Sequence, residues 1–234
     1  MFDGSSLWHI ESRKSKNALE MTGGLLDHSL ASLLRGQRTF KKKEKMILSV
    51  ILANSLLHFC ESPWLSREWN KEHIMFFSTP TGKIHLQRPY LSTDFQAVAT
   101  PLSDDEADEM FRIHPNPSIL ALGILLLEIE LNTPIENKRT VEDLGESGEV
   151  TMNTNYFTAS RLFQEDYSED AYVNTKKAVD ACLSCSFYEP ETMDANLDNA
   201  EFRQAVYESI VHPLEKDLYN AYELTPDMIG LQAE

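Results

Sequence analysis

The spacing of apolar residues along the chain predicts a fold built mainly from helices. Between residues 44 and 60, apolar side chains recur at intervals of three or four, which places them on one face of a helix. That face consists of Met46, Val50, Ala53 and Leu57, widened by Ile47, Ile51 and Leu56. Pro63 follows and ends the helix, because proline cannot continue the backbone hydrogen bonding.

A second segment, Ile119 to about Leu131, is apolar around its whole circumference until Glu128. A helix of this kind must be surrounded by protein, since any exposed face would leave a large apolar area in water. We therefore expect this helix at the centre of the core, with Ser118 as its N-cap.

The remaining pattern divides the chain into three parts. Residues 1–40 predict a partly helical N-terminal segment, with a broken helix or helix pair from Leu19 to Leu34 around Gly23 and Gly24. Residues 41–222 predict one helical domain, and residues 223–234 a tail. After the buried helix, the domain shows three further helical patterns, around residues 156–163, 171–183 and 202–218.

Only one strand pair is predicted. The segments 74–77 and 84–86 are short β-prone runs on either side of a proline- and glycine-containing turn, which is typical of a β-hairpin. The segments 92–116 and 137–152 are polar and predict surface loops. The first of these loops is expected to carry a short acidic helix at Asp104 to Glu109.

The charge of the chain argues against two classes of partner. There are 21 Lys and Arg against 37 Asp and Glu, a net charge of −16, which repels phosphate backbones and anionic membranes. Nucleic acid is therefore not expected as a partner. The basic run Lys41 to Lys43 is interpreted as the solvated start of a helix. The most apolar segment is far shorter than the roughly 20 residues that span a bilayer, so no membrane span is expected.

The cysteines indicate a reducing compartment. Cys60, Cys182 and Cys185 cannot all pair within one chain, and the N-terminus shows no apolar run typical of a signal peptide. We expect a cytoplasmic protein, with the nucleus as the alternative. Cys182 and Cys185 have the C-x-x-C spacing of zinc and redox sites, but a single pair inside a helical pattern predicts buried structural thiols. No cofactor or metal is expected.

The order of helix, irregular loop, hairpin, long loop, buried helix and further helices resembles the C-terminal lobe of protein kinases over roughly residues 40–220. Residues 64–76 lie where a kinase carries its catalytic loop, and residues 84–92 where it carries its Asp-Phe-Gly motif. Ser118 to Glu128 is similar to the buried central helix of that lobe. The resemblance implies a mainly α, kinase-like C-terminal lobe whose nucleotide-binding lobe is essentially absent.

The same resemblance implies that the chain does not transfer phosphoryl groups. Glu68 stands in place of the catalytic aspartate, Asn70 in place of the phosphate-facing lysine, and His73 in place of the metal-binding asparagine. Arg88 replaces the aspartate of Asp-Phe-Gly, and a cation there opposes magnesium. Glu68 keeps the chemical type of a general base, so an enzyme with residual activity through Glu68 is the less favoured alternative.

A narrower resemblance concerns Cys60 to Leu65 together with Asn116 to Ser118. These residues are similar to an uncharacterised kinase-like domain family of filamentous fungi, sometimes found beside HeLo-type prion-inhibition domains. That similarity implies a role in fungal signalling or incompatibility, without a known activity. The leading hypothesis is a catalytically inactive interaction or scaffold domain. The alternative is a C-terminal fragment or subunit of a larger kinase-like protein.

A lobe without its usual upstream lobe leaves one face uncovered. We expect that face to bind a protein partner or a missing N-terminal region, because large uncovered apolar patches mark interaction sites. The candidate residues are Trp64, Trp69 and Tyr90, since aromatic residues are enriched in binding hot spots. The competing interpretation is that the tryptophans pack the loop onto its own lobe and that residues 1–36 cover the face.

Overall fold

The computed structural model describes residues 2–3, 6–7, 27–36, 38–59, 69–78, 83–92, 113–167, 171–190 and 194–231. Within these residues the chain is mainly helical, with a small three-stranded antiparallel sheet and one pair of two-residue strands. This confirms the predicted helical class. No helix in these ranges is long and apolar enough to cross a membrane.

The first half of the chain carries the strands. Strands β1 (Phe2–Asp3) and β2 (Ser6–Leu7) pair with each other. The three-stranded sheet consists of β3 (Asp27–Ser29), β4 (Ile74–Phe77) and β5 (Tyr90–Leu91), with β4 in the middle. Between β3 and β4 lie the helices α1 (Leu30–Arg35) and α2 (Lys42–Phe59).

The second half is helical. It contains α3 (Pro117–Leu131), two short 3₁₀ turns (Ile135–Lys138 and Val141–Asp143), α4 (Thr154–Glu165) and α5 (Val173–Ser184). A continuous helical run follows, made of α6 (Ala200–Val206), a π-helical turn (Tyr207–Val211) and α7 (His212–Tyr222). A last 3₁₀ turn spans Pro226–Ile229. The three further helical patterns of the sequence are thereby confirmed.

Helix α3 confirms the predicted central helix. It packs against α2, α4 and α5, and none of its residues after Pro117 is exposed. Its N-cap, however, is Asn116 and not Ser118, because Asn116 Oδ1 accepts a hydrogen bond from the backbone N–H of Ile119 at 3.0 Å. Pro117 then occupies the first turn, where its fixed φ suits a helix and its missing N–H costs nothing.

Helix α2 also follows the sequence prediction. Of the seven residues predicted for its apolar face, six are buried and only Leu57 is half-buried. The helix packs against α3 and α7, and the exposed Lys41 to Lys43 mark its start as expected. Cys182 and Cys185 are buried free thiols on α5 and at its C-cap, as predicted, and burial raises the pKa of Cys185 to about 11.

The predicted hairpin is wrong in its second strand. β4 pairs with β5, whereas the segment 84–86 contributes only an isolated bridge between Ser78 and Ile84. The residues between this bridge and β5 leave the ladder as a turn, and Leu86 of that turn is buried. The first predicted strand, 74–77, is confirmed as β4, but the later strand that pairs with it begins at Tyr90, six residues after Ile84.

The helix pair predicted from Leu19 to Leu34 is also corrected where the structure describes it. Residues 27–29 form β3, which pairs with β4, and only Leu30–Arg35 is helical. Ser29 caps this helix by accepting a hydrogen bond from the N–H of Ser32 at 3.1 Å. Residues 19–26 and most of the predicted loop 92–116, with its acidic helix, lie outside the described residues.

The predicted surface loop 137–152 is mostly exposed but has one buried anchor. Asp143 accepts two hydrogen bonds from the Arg161 guanidinium of α4, from Nε at 3.0 Å and from Nη2 at 2.7 Å. The hydrogen bonds from Arg161 are the main reason why the pKa of Asp143 is lowered to about 2. This bidentate pair fixes the second 3₁₀ turn against α4.

Helices α3 and α5 approach most closely at Gly123. A Cβ atom added to Gly123 would lie 2.7 Å from the Cβ of Cys182 and 3.3 Å from a methyl of Leu183. Such distances are too short for carbon atoms in van der Waals contact. Glycine is therefore required at this position by the packing of its neighbours, and not by its own backbone conformation.

Replacing Gly123 by alanine should destabilise the fold by about 1–3 kcal/mol, as overpacked cores do. Urea unfolding measures the effect. Cys182→Gly removes the opposing Cβ, so Gly123→Ala should cost clearly less in that background. Cys182→Ala keeps the Cβ and is the matched control, in which the cost should be that of the wild type. An equal cost in all three backgrounds would contradict the close approach of the two helices.

Candidate functional site

The segment before β4 folds into a tight turn held by one side chain. Asn70 Oδ1 accepts hydrogen bonds from the backbone N–H of Glu72 at 2.9 Å and of His73 at 3.2 Å. The same oxygen lies 3.0 Å from Nδ1 of His73. The structure thus brings Asn70 and His73 together, as members of a local asparagine turn. Their side chains hold the backbone and do not converge on an open site.

Arg88 lies in the turn between the Ile84 bridge and β5. Its backbone N–H donates to the carbonyl of His85 at 3.2 Å, and its side chain is exposed. Within the described ranges, Arg88 forms no ion pair and no hydrogen bond with Asn70 or His73. The three degenerate positions therefore form no common constellation. Glu68, the fourth, lies outside the described residues.

The strongest interaction of this region involves Lys71, between the two members of the asparagine turn. Lys71 is 6% exposed, and its Nζ lies 2.8 Å from Oε1 of Glu128 and 2.8 Å from Oε1 of Glu136. Glu128 is 1% exposed and belongs to the last turns of α3. We call Lys71, Glu128 and Glu136 the buried ion cluster.

Backbone hydrogen bonds extend the buried ion cluster to its neighbours. Glu128 Oε1 also accepts from the N–H of Ile135, the first residue of the 3₁₀ turn after α3, at 2.8 Å. The carbonyl of Lys71 accepts from the N–H of Ala31 in α1 at 3.0 Å. One lysine therefore links α1, the turn before β4, the end of α3 and the segment that follows it.

Burial disfavours the charged forms of both Lys71 and Glu128. Burial raises the pKa of Glu128 above its ordinary value, although the charge of Lys71 counteracts it. Burial also disfavours the charged form of Lys71, but the two carboxylates together outweigh it and raise the pKa of Lys71. One ammonium is thus shared by two acids, and its charge is fully used in holding the fold.

An apolar cavity opens beside this turn, between the sheet and α2. Its volume is about 210 Å³. Its walls come from α2, from the turn before β4, from the sheet and from the turn before β5: Leu52, Ser55, Trp69, Ile74, Leu91, Pro89 and Tyr90. Among the residues that the structure describes, no charged side chain lines it. We call this space the sheet cavity.

Two of the three predicted aromatic residues, Trp69 and Tyr90, line the sheet cavity, and they differ in exposure. Trp69 is only 7% exposed and forms part of the wall, whereas Tyr90 is 40% exposed. The Tyr90 ring packs edge-on against Phe77, with ring centroids 4.5 Å apart. Trp69 Nε1 is buried and has no hydrogen-bond partner within the described part of the chain. Trp64 lies outside that part.

The described residues contain no cluster of side chains suited to binding a metal ion. No group of three or more His, Cys, Asp or Glu residues there could hold a metal ion. His73 is engaged with Asn70, and His58, at the end of α2, is exposed. Cys60 lies outside the described residues.

Sequence reasoning missed Lys71 and Ser55. Lys71 stands where the kinase pattern has a proline, so the comparison of motifs passed over it. A signal was present in Glu128, because a carboxylate within an apolar helix requires a buried partner. The partner's identity could not be read from the sequence, since Lys71 and Glu128 are far apart along the chain. Ser55 was missed because it lies on the margin of an apolar helix face.

Comparison with known proteins identifies a family whose function is not known. A family model described as a domain of unknown function, DUF7580, matches residues 1–221. No curated protein and no solved structure matches the chain.

Replacing Lys71 by methionine should destabilise the fold by about 3–5 kcal/mol at neutral pH, because Glu128 is left buried without a cation. The loss should shrink in mildly acidic solution. A buried carboxyl with a raised pKa favours folding below that pKa and opposes it above, and protonation makes Glu128 neutral. Chemical denaturation across this pH range measures both effects.

Two variants control this experiment. Lys71→Met combined with Glu128→Leu should recover part of the lost stability, since no unpaired charge remains at that position. Arg35→Met removes the exposed ion pair of Arg35 with Glu72, which measures 3.2 Å, and should cost less than about 1 kcal/mol. A Lys71→Met effect as small as that of Arg35→Met would show that the cluster is not an anchor.

Proposed function

The chain belongs to the DUF7580 family of domains of unknown function, and we propose that it acts as a catalytically inactive, kinase-like protein-interaction domain. One observation carries the proposal: the sheet cavity is an open apolar space beside the exposed Tyr90. Apolar concavities with an aromatic residue at the rim suit the anchor side chain of a binding partner.

The order of elements supports the kinase-like part of this proposal. Within the described residues, helix α2 is followed by the asparagine turn, by the pairing of β4 with β5, and then by the buried helix α3. Helices α4, α5 and the α6–α7 run surround or extend that core. This is the sequence of elements from which the resemblance to a kinase C-terminal lobe was drawn.

The roles of three side chains support the absence of catalysis. Asn70 and His73 are engaged with each other in the turn, and Lys71 is enclosed by two carboxylates. Phosphoryl transfer requires cations and metal ligands that face the phosphates. In the described part of the chain, Asn70 and His73 hold the backbone of the turn, and the nearby cation Lys71 belongs to the buried ion cluster. Membership in a larger kinase-like protein and residual activity through Glu68 stay as alternatives.

We predict that millimolar magnesium and ATP leave the melting temperature of the domain unchanged. A ligand at 100 times its dissociation constant stabilises a protein by about 2.7 kcal/mol, which a thermal melt detects readily. ATP without magnesium is the control for a nonspecific effect of the anion. A magnesium-dependent rise of the melting temperature would refute the inactive assignment and favour the enzyme alternative.

The interaction role is tested by filling the sheet cavity. Ser55→Phe places an aromatic ring in the space, and cavity filling usually preserves or raises stability. Random peptides displayed on phage are selected on the wild-type domain and re-tested on this variant. We expect enriched peptides that bind the wild type and lose binding to Ser55→Phe.

Two checks make this result interpretable. The melting temperature of Ser55→Phe shows whether the variant is folded, and Ser55→Leu, with a smaller side chain, replaces it if it is not. Enrichment of no peptide, or of peptides that bind the filled and open cavities equally, would refute the interaction role at this site.

A further inference from the structure

The strand beside the sheet cavity is an edge strand. β5 is the last strand in the order β3–β4–β5, so one of its sides is unpaired within the described residues. The N–H of Ser92 donates to the carbonyl of His73 at 2.8 Å. Because pairs alternate along an antiparallel ladder, the N–H and C=O of the preceding Leu91 are directed away from β4. An extended segment can add to such an edge.

The size and lining of the sheet cavity suit a single apolar side chain. A volume of about 210 Å³ is below the roughly 300–1,000 Å³ of pockets that enclose drug-sized ligands. Ile74 and Leu91 pair directly across the ladder, so their side chains face the same way, toward Leu52 of α2. Two residues of the described lining carry a hydroxyl, Ser55 and Tyr90, and Ser55 Oγ donates to the carbonyl of Ile51 at 2.7 Å.

Trp69 adds a hydrogen-bond donor to this apolar wall. Its indole N–H is buried without an acceptor in the described part of the chain. An unpaired buried donor costs about 1–3 kcal/mol. Trp69 lines the cavity, so a segment bound there would bring backbone oxygens close to its ring. A backbone carbonyl beside the apolar side chain is the acceptor that every peptide supplies.

Arg88 is the charged residue next along the chain to the cavity wall. It directly precedes Pro89, which lines the cavity, and it is exposed without an ion pair among the described residues. The net charge of the chain is −16, which opposes an acidic ligand at long range. The Debye length of about 8 Å at physiological salt confines this effect. A carboxylate of a bound segment within that distance of Arg88 is attracted by its cation.

We propose that the sheet cavity binds an extended segment of a partner protein that carries an apolar residue next to an acidic one. The segment pairs with the edge of β5, its apolar side chain fills the cavity, and its carboxylate contacts Arg88. A backbone carbonyl accepts the Trp69 indole N–H. This inference rests on the interaction role proposed above and specifies its ligand.

The test uses the cavity-dependent peptides from the phage selection, synthesised with a fluorescent label. Their sequences should be enriched in Asp or Glu adjacent to a large apolar residue. Arg88→Glu should weaken their binding by at least about tenfold, as close charge pairs do, and should favour copies in which the acid is replaced by lysine. Lys177→Glu changes the same charge at an exposed position on α5 and is the matched control. It should leave the dissociation constants unchanged.

A second measurement concerns the indole. In a ¹H–¹⁵N spectrum, the Trp69 indole signal is identified by its loss in Trp69→Phe. A saturating amount of a selected peptide should move this signal downfield, because the N–H gains an acceptor. A signal that does not move would remove the indole from the proposal.

The outcomes separate this inference from the role on which it rests. Cavity-dependent peptides without an acidic preference, or with unchanged affinity for Arg88→Glu, would overturn the ligand while leaving the interaction role intact. The absence of any cavity-dependent peptide would overturn both. A dimer in sedimentation equilibrium that Ser55→Phe dissociates would identify a second copy of the chain as the occupant and refute a foreign segment.

Discussion

The rest of the structure depends on one buried lysine. Lys71 binds two carboxylates with its ammonium and the N–H of Ala31 with its carbonyl. These contacts join three parts of the chain, namely α1, the turn before β4 and the end of α3. Removing a charge from water is costly, so the arrangement holds only when all three members are in place.

The sheet cavity follows from that constraint. Trp69, which forms part of its wall, is two residues from Lys71, and β4 begins three residues after Lys71. Helix α3, which carries Glu128, holds the other end of the ion pair with Lys71. It packs against α2, α4 and α5 and cannot shift without disturbing each of them. The two ion pairs of Lys71, both at 2.8 Å, tie the turn that carries Trp69 to the end of α3 and to the segment after it.

The sequence predicted the helices better than the sheet, for a physical reason. Periodicity along α2 and α3 reflects contacts that many residues share, so one misread position changes little. Strand pairing depends on partners distant along the chain. The segments 84–86 and 90–91 are both short and β-prone, so the sequence does not show which of them pairs with β4. The N-cap was misplaced because Ser118 and Asn116 are both good caps, and only Pro117 discriminates between them. Lys71 lay beyond prediction because a charge pattern does not reveal its tertiary partner.

The π-helical turn has a consequence for the geometry of the C-terminal run. Buried residues there recur every four positions, at Phe202, Val206, Ile210, Leu214 and Leu218. In an ideal α-helix with 3.6 residues per turn, that interval drifts by about 40° at each step, or roughly 160° over the whole series. The wider turn at Tyr207–Val211 unwinds part of this drift. It acts as a phase correction that keeps one seam directed at α2 and α5 through the π-helical turn and α7.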